Sequence, residues 1–139
     1  MVRVLVDTSA WILAVHRNDA HAKSRLVEVI SAGSAAICPL VVLELLAGRS
    51  RGEDPEAIRA RFLSLDELEC TRAVWEQAQR LASEARGRGH TLPAADALVA
   101  AHALVADALL LHADSDFPRV SAWSGLKQES LLLRADPVR

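Results

Sequence analysis

The chain opens Val2-Arg3-Val4-Leu5-Val6-Asp7-Thr8-Ser9, and these eight residues decide the fold class. A short run of Val and Leu is typical of a central strand buried on both faces, as in parallel sheets. It stops at three short polar residues whose side chains can cap a helix beginning near Ala10. Strand, turn and helix make the first half of an α/β unit, and the rest of the chain keeps alternating. Residues 20–31 form an amphipathic helix with Ala22, Leu26, Val29 and Ile30 on one face, stopped by Gly33. Ala35-Ala36-Ile37-Cys38 reads as a brief buried strand, and Pro39 opens a helix over 40–47 that Gly48 closes. Asp54-Pro55-Glu56 starts another helix, expected to turn Ile58, Phe62 and Leu63 inward.

Further along, residues 65–70 suit a short edge strand. Thr71 then caps a long helix whose apolar face is Val74, Trp75, Ala78, Leu81, Ala82 and Ala85, ended by Gly87-Arg88-Gly89. Leu92-Pro93 begins a helix of small apolar residues over 94–105. Residues 108–111 read as a strand and 131–133 as a last one. There is no internal repeat, low-complexity tract or linker, so residues 1–139 are expected to form one α/β domain with a mainly parallel sheet flanked by helices.

Composition narrows the function. The AVILMFWYC set makes up 51% of the 139 residues, which excludes intrinsic disorder, and aromatics are only 4%, which argues against a β-sandwich. With 16 basic and 18 acidic residues the formal charge is −2, so no bulk basic field advertises a nucleic-acid binder. Cys38 and Cys70 are far apart, and two reduced thiols are expected. No stretch reaches the ~20 apolar residues that cross a bilayer, and the initial apolar run is too short for a signal peptide. A soluble cytoplasmic protein with no membrane contact is expected.

The acids are the informative residues. In open parallel sheets ligands collect at the carboxyl ends of strands. Asp7 follows the first strand, and His112-Ala113-Asp114-Ser115-Asp116 follows the strand at 108–111. Glu44 stands alone in Val41-Val42-Leu43-Glu44-Leu45-Leu46, as does Asp96 in Ala94-Ala95-Asp96-Ala97-Leu98-Val99. An ionised carboxylate buried without a partner costs several kcal/mol, so each needs pairing, hydrogen bonding or a metal. The alternative is that each helix turns its single acid to solvent or caps a neighbour. No basic cluster lies within these segments, and carboxylates with water suit Mg²⁺ or Mn²⁺ rather than zinc. The histidines at 16, 21, 90, 102 and 112 show no metal-binding spacing, and His102, six residues after Asp96, falls on another face of its helix.

Taken in order, Asp7-Thr8-Ser9, Glu44 in Leu43-Glu44-Leu45-Leu46-Ala47-Gly48, Asp96 in Ala95-Asp96-Ala97-Leu98-Val99-Ala100-Ala101, and Asp114-Ser115-Asp116-Phe117 resemble the PIN-domain nucleases. More narrowly they are similar to the VapC toxins of bacterial toxin–antitoxin pairs. The resemblance spans residues 5–117 and implies a PIN-like three-layer fold and a metal-dependent endoribonuclease. By position it makes Asp7 and Asp96 the principal Mg²⁺ ligands, Mn²⁺ being a possible substitute. Glu44 and Asp114 complete the quartet, Asp116 assists, and Ser9 orients the first Asp or its water. Where many relatives have a Thr-Arg type pair before Asp114 this chain has His112-Ala113, so whether Asp114 or Asp116 is the closer ligand stays open.

The same resemblance implies an RNA substrate and a small VapB-like antitoxin partner presenting Arg or Lys to the acidic cleft. The apolar residues Trp11, Leu13 and Val15 suit a homodimer, although core packing accounts for them equally well. Without the five candidate carboxylates, 13 acids face 16 bases, a mildly basic remainder with clusters at Arg49-Ser50-Arg51 and Arg86-Gly87-Arg88 that suit backbone phosphates. Two rival classes are weighed. A haloacid dehalogenase-type phosphatase wants a second acid two residues after the first, where this chain has Ser9. A non-catalytic PIN-like scaffold typically loses acids that this chain keeps.

Overall fold

The computed structural model describes residues 2–132. Five strands form one sheet in the order β3-β2-β1-β4-β5, every neighbouring pair parallel. They are β1 (Val4–Val6), β2 (Ala35–Ile37), β3 (Asp66–Glu67), β4 (Leu109–His112) and β5 (Gln128–Ser130). Seven helices flank them: α1 (Thr8–Trp11), α2 (Ala20–Ser31), α3 (Pro39–Ala47), α4 (Pro55–Ala60), α5 (Arg72–Gly87), α6 (Ala94–Val105) and α7 (Asp116–Ser124). α1 runs on into a wider π-helical turn, Ile12–His16.

The strand order explains where a site can form. From β1 the chain builds outward through β2 to β3, then returns across β1 to build β4 and β5 on the other side. Right-handed crossovers put the helices of the two halves on opposite faces, and a crevice opens at the carboxyl ends of the strands where the direction reverses. That point lies between β1 and β4, whose register pairs Val6 with Leu111. Asp7 follows one strand and Asp114 the other.

β1 and β2 are buried throughout and β4 nearly so, as continuous apolar runs in a covered parallel sheet must be. The core joins Leu5, Val6, Leu110 and Leu111 to Val41, Val74, Leu81, Val99, Phe117 and Val120. Trp11 is a core residue too, meeting Phe62 edge to face at 5.2 Å. Both cysteines are free, Cys38 buried and Cys70 half-buried. No described helix is long and apolar enough to cross a membrane.

Local chemistry sets the element ends. Asp7, Asp19, Asp54 and Thr71 cap their helices by accepting backbone N–H bonds. Gly33 leaves α2 with φ +73, a left-handed conformation that favours glycine.

Four expectations are corrected. Leu63 lies beyond the end of α4 and is 84% exposed, because the helix stops at Ala60 and the chain turns before a third apolar residue can face inward. Trp75 is 51% exposed, its ring too far round α5 from the buried stripe of Val74, Ala78, Leu81 and Ala85. Ile30 sits at the solvent edge of α2, where only Ala22, Leu26 and Val29 are buried. The last strand is Gln128–Ser130, three residues earlier than expected. Its polar sequence hides it, because it is an edge strand held by its pairing with β4. Leu133 lies outside the described residues. α7 was not anticipated; Asp114 accepts from the Asp116 N–H at 2.8 Å and starts it, but the side chain is also a candidate ligand in the sequence.

Candidate metal centre

Asp7 is 4% exposed where β1 ends. Its Oδ2 accepts from the Ser9 N–H at 3.1 Å and from the Ser9 hydroxyl at 2.5 Å. Burial pushes its carboxyl pKa up and Asp114 adds to the rise, while the bonds from Ser9 and the Thr8 backbone oppose it. The Ser9 Oγ also accepts from the Ala113 N–H at 2.9 Å. One hydroxyl therefore ties the end of β1 to the loop after β4.

Asp114 is fixed by that loop. Its N–H donates to Nδ1 of His112 at 3.1 Å, and its Oδ1 accepts from the Asp116 N–H. His112 is fully buried against Phe117, ring centroids 4.9 Å apart. Since Nδ1 is an acceptor, the ring proton is on Nε2, which donates to Oε1 of Gln128 at 2.6 Å. Burial pushes the His112 pKa down, so the ring is a neutral post under Asp114.

Asp96 enters from the first turn of α6. Its pKa is pushed up to about 7, first by burial and then by the charges of Asp114 and Asp7, with smaller contributions from a hydrogen bond to Asp114 and from Asp116. One carboxylate oxygen from each of Asp96, Asp114 and Asp116 lies within 4.8 Å of the others. Among the described residues no Lys or Arg forms an ion pair with any of them. Three half-buried carboxylates at this spacing without a cation repel one another, and an oxygen-only donor set of this kind suits a hard divalent cation.

Asp7 stands beside this triad, close enough for its charge to act on Asp96, but outside the 4.8 Å set. Glu44 is half-buried on α3 and reaches the rim through Thr8, whose hydroxyl donates to its Oε1 at 2.8 Å. Thr8, His112 and Gln128 are positioning residues that sequence reasoning did not assign. Their signal was weak: a hydroxyl beside Asp7, the unusual His112-Ala113 pair, and a glutamine in a strand not anticipated.

Cys38 is no nucleophile, since burial pushes its thiol up to about 11. His102 is buried in α6 with Nδ1 2.8 Å from the Leu98 carbonyl, a core histidine away from the carboxylates.

The family model for the PIN domain matches residues 4–122. Ribonuclease VapC18 of Mycobacterium tuberculosis is 30% identical over 135 residues, covering 93% of this chain and 95% of that protein. Two solved structures share the fold. One is VapBC2 from Rickettsia felis bound to a DNA fragment from its promoter, with a TM-score of 0.76 at 20% identity, covering 94% of this chain and 98% of that one. The other is DNA-bound VapBC from Salmonella typhimurium, with a TM-score of 0.75 at 19% identity and the same coverages. With the family model covering most of its length and its acids gathered at the reversal of strand order, the chain belongs to the PIN-domain family.

Proposed function

We propose that this protein is a Mg²⁺-dependent endoribonuclease and the toxin of a toxin–antitoxin pair. The observation that carries the reading is the unpaired triad of Asp96, Asp114 and Asp116 beside buried Asp7 at the strand-order reversal. Asp7, Asp96 and Asp114 would hold the ion, with Asp116 and Glu44 as ligands of the ion or of its waters. A bound divalent cation supplies charge neutralisation at a phosphodiester and a water acidified enough to attack it.

The chain's own residues supply the rest. Ser9 holds one oxygen of Asp7 and leaves the other without a side-chain partner among the bonds of the described residues, so it could serve a cation. Without a cation the Asp96 carboxyl titrates at about 7, so a divalent ion bound there would release its proton and hold it as a carboxylate ligand. Thr8 orients Glu44 at the rim, where a carboxylate can accept a hydrogen bond from water. Buried His112 stays neutral and keeps the Asp114 backbone in place. The phosphatase alternative needs a catalytic group at position 9, and the Ser9 hydroxyl is already committed to Asp7 and Ala113.

An antitoxin segment has a candidate seat on the helix that carries Glu44. Between α3 and α4 runs a groove of about 410 Å³ with an apolar floor of Val42, Leu46 and Phe62, exposed Leu43 and Leu63 at its edge, and Arg59 and Glu67 also in its lining. A partner helix could lie there while a neighbouring Arg or Lys reaches the carboxylates. A homodimer and a cytoplasmic location belong to the same reading.

The test is cleavage of total RNA with Mg²⁺, with excess EDTA, and with Asp7→Asn or Asp96→Asn. Cleavage only by the wild type with metal is expected. Undiminished cleavage in EDTA, or wild-type turnover by both variants, would refute the assignment.

A further inference from the structure

Beside the carboxylates lies a cluster that the cleavage chemistry leaves unused. The Arg88 guanidinium stands over the Trp123 ring, 5.2 Å from its centroid, and the His90 ring meets the same tryptophan at 6.1 Å with a 51° tilt. Gly89 lies between them at φ +87, a left-handed turn that lets Arg88 and His90 both reach Trp123. Trp123 is half-buried, one part packing on the core. The Arg88 side chain is 50% exposed, and its one ion pair among the described residues, with Glu84, is long at 3.5 Å.

Helix geometry puts this cluster in line with the metal centre. Trp123 follows Asp116 by seven residues on α7, which returns it to within ~20° of the same face about 10 Å along the axis. Arg119 lies between them on the outer side, exposed and without an ion pair among the described residues. The loop carrying Arg88 and His90 runs directly into α6, which bears Asp96. A strand of stacked nucleotides advances about 3.4 Å per nucleotide, so the cluster stands some three nucleotides from the carboxylates.

We propose that Trp123 and Arg88, braced by His90, form a base-stacking platform for single-stranded RNA lying along α7, with Arg119 on the intervening backbone. This deepens the ribonuclease reading and rests on it. Trp123 holds the guanidinium carbon over its ring, and the exposed side of the guanidinium takes a base about three nucleotides from the scissile phosphate. Arginine planes and aromatic rings stack on unpaired bases regardless of sequence, whereas a lysine at position 88 keeps the charge and loses the plane. The acidic centre repels RNA when metal-free, so a cationic, aromatic anchor at its flank is what the substrate needs.

The test measures anisotropy of a labelled adenosine decamer and of an abasic decamer of equal charge, in EDTA. Wild type is expected to bind the adenosine decamer on the order of tenfold more tightly than the abasic one. Arg88→Lys and Trp123→Ala should remove that preference, and Arg88→Lys should leave abasic binding unchanged. With Mg²⁺, Arg88→Lys should raise KM for cleavage of an unstructured RNA while kcat holds, the signature of binding lost equally in ground and transition states. Arg88→Lys affinity and KM within twofold of wild type would overturn the platform even if the RNA is cut, as would a wild type with no preference between decamers. Absence of cleavage by the wild type, or full cleavage by Asp96→Asn, would instead count against the ribonuclease reading. Arg88→Lys is a surface change that preserves charge, so the test holds even if Trp123→Ala loses its fold.

Discussion

Asp96→Asn should stabilise the metal-free protein while abolishing its response to metal. The Asp96 carboxyl, ordinarily near 3.8, titrates at about 7 because burial and three neighbouring acids disfavour its charge. Each tenfold change in a protonation constant is worth 1.36 kcal/mol, so full ionisation at pH 8 carries a penalty of at most ~4 kcal/mol. The side chain is only half-buried, and solvent screening brings the net effect to on the order of 1–2 kcal/mol. The folded pKa lies above the unfolded one for an acid, so the native state binds more protons. Stability therefore falls as pH rises from the unfolded value towards 7 and is fully reduced above it. The neutral amide escapes this penalty. In EDTA at pH 8 the variant should melt roughly 4–8 °C above wild type, and the gap should shrink as pH is lowered towards 4.5. Saturating Mg²⁺ should reverse the order, since a ligand at a hundred times its Kd adds about 2.7 kcal/mol to the protein that binds it. Thermal melts at both pH values, with and without Mg²⁺, decide the matter. A variant that melts below wild type at pH 8 in EDTA would mean that Asp96 has a structural partner and no repulsion to relieve.

Two further outcomes follow from the bonding around the site and at the sheet edge. Ser9→Ala strips a donor from Asp7 and leaves the Ala113 N–H without its acceptor, so urea unfolding should report a loss of about 1–3 kcal/mol together with weaker Mg²⁺ binding; an unchanged urea midpoint would refute the link. Glu129 on β5 accepts two bonds from Arg25 at 2.8 and 2.9 Å, which holds its carboxyl below the usual range. Its contribution is present above the ordinary glutamate pKa and lost as pH falls through the depressed one. Glu129→Gln should therefore cost about 1 kcal/mol at pH 7 and nothing near pH 3, and equal costs at both would exclude the ion pair as cause.

How far the sequence could be read depended on what held each element in place. α5 was legible because a Thr71 cap, an amphipathic run and Gly87 all agreed, α2 because its amphipathic run stops at Gly33, and α6 because a small apolar run follows Leu92-Pro93. β5 was not, because Gln128-Glu129-Ser130 has no strand pattern; its place is set by pairing with Leu110, Leu111 and His112, which no local window contains. Leu63 and Trp75 misled for a related reason, each continuing a helical period where the packing partner ends. Of the acids, Asp96 was conspicuous as the lone charge in an apolar helix. The sequence did not separate Asp114 from Asp116, and the fold brings both within reach of Asp96.

The five carboxylates are held in different ways, and the difference bears on how the centre works. Asp7 is the most buried, yet two donors from Ser9 occupy one of its oxygens, so its charge is partly compensated before any ion arrives. Asp114 is fixed through its backbone by His112 and uses one oxygen to accept from the Asp116 N–H at the start of α7. Asp96 has the N-terminal end of α6 behind it, which favours its charge, and three acids in front, which disfavour it more. Among the described residues its bonding partner is the Asp114 carboxyl, with no hydroxyl and backbone pair like that of Ser9 on Asp7. The inner carboxylate is thus built by the protein, while the charge on Asp96 is completed by whatever cation enters the crevice. On the proposed function, metal binding and proton release would be coupled at Asp96, so its substitution would separate the stability of the fold from the chemistry of the site.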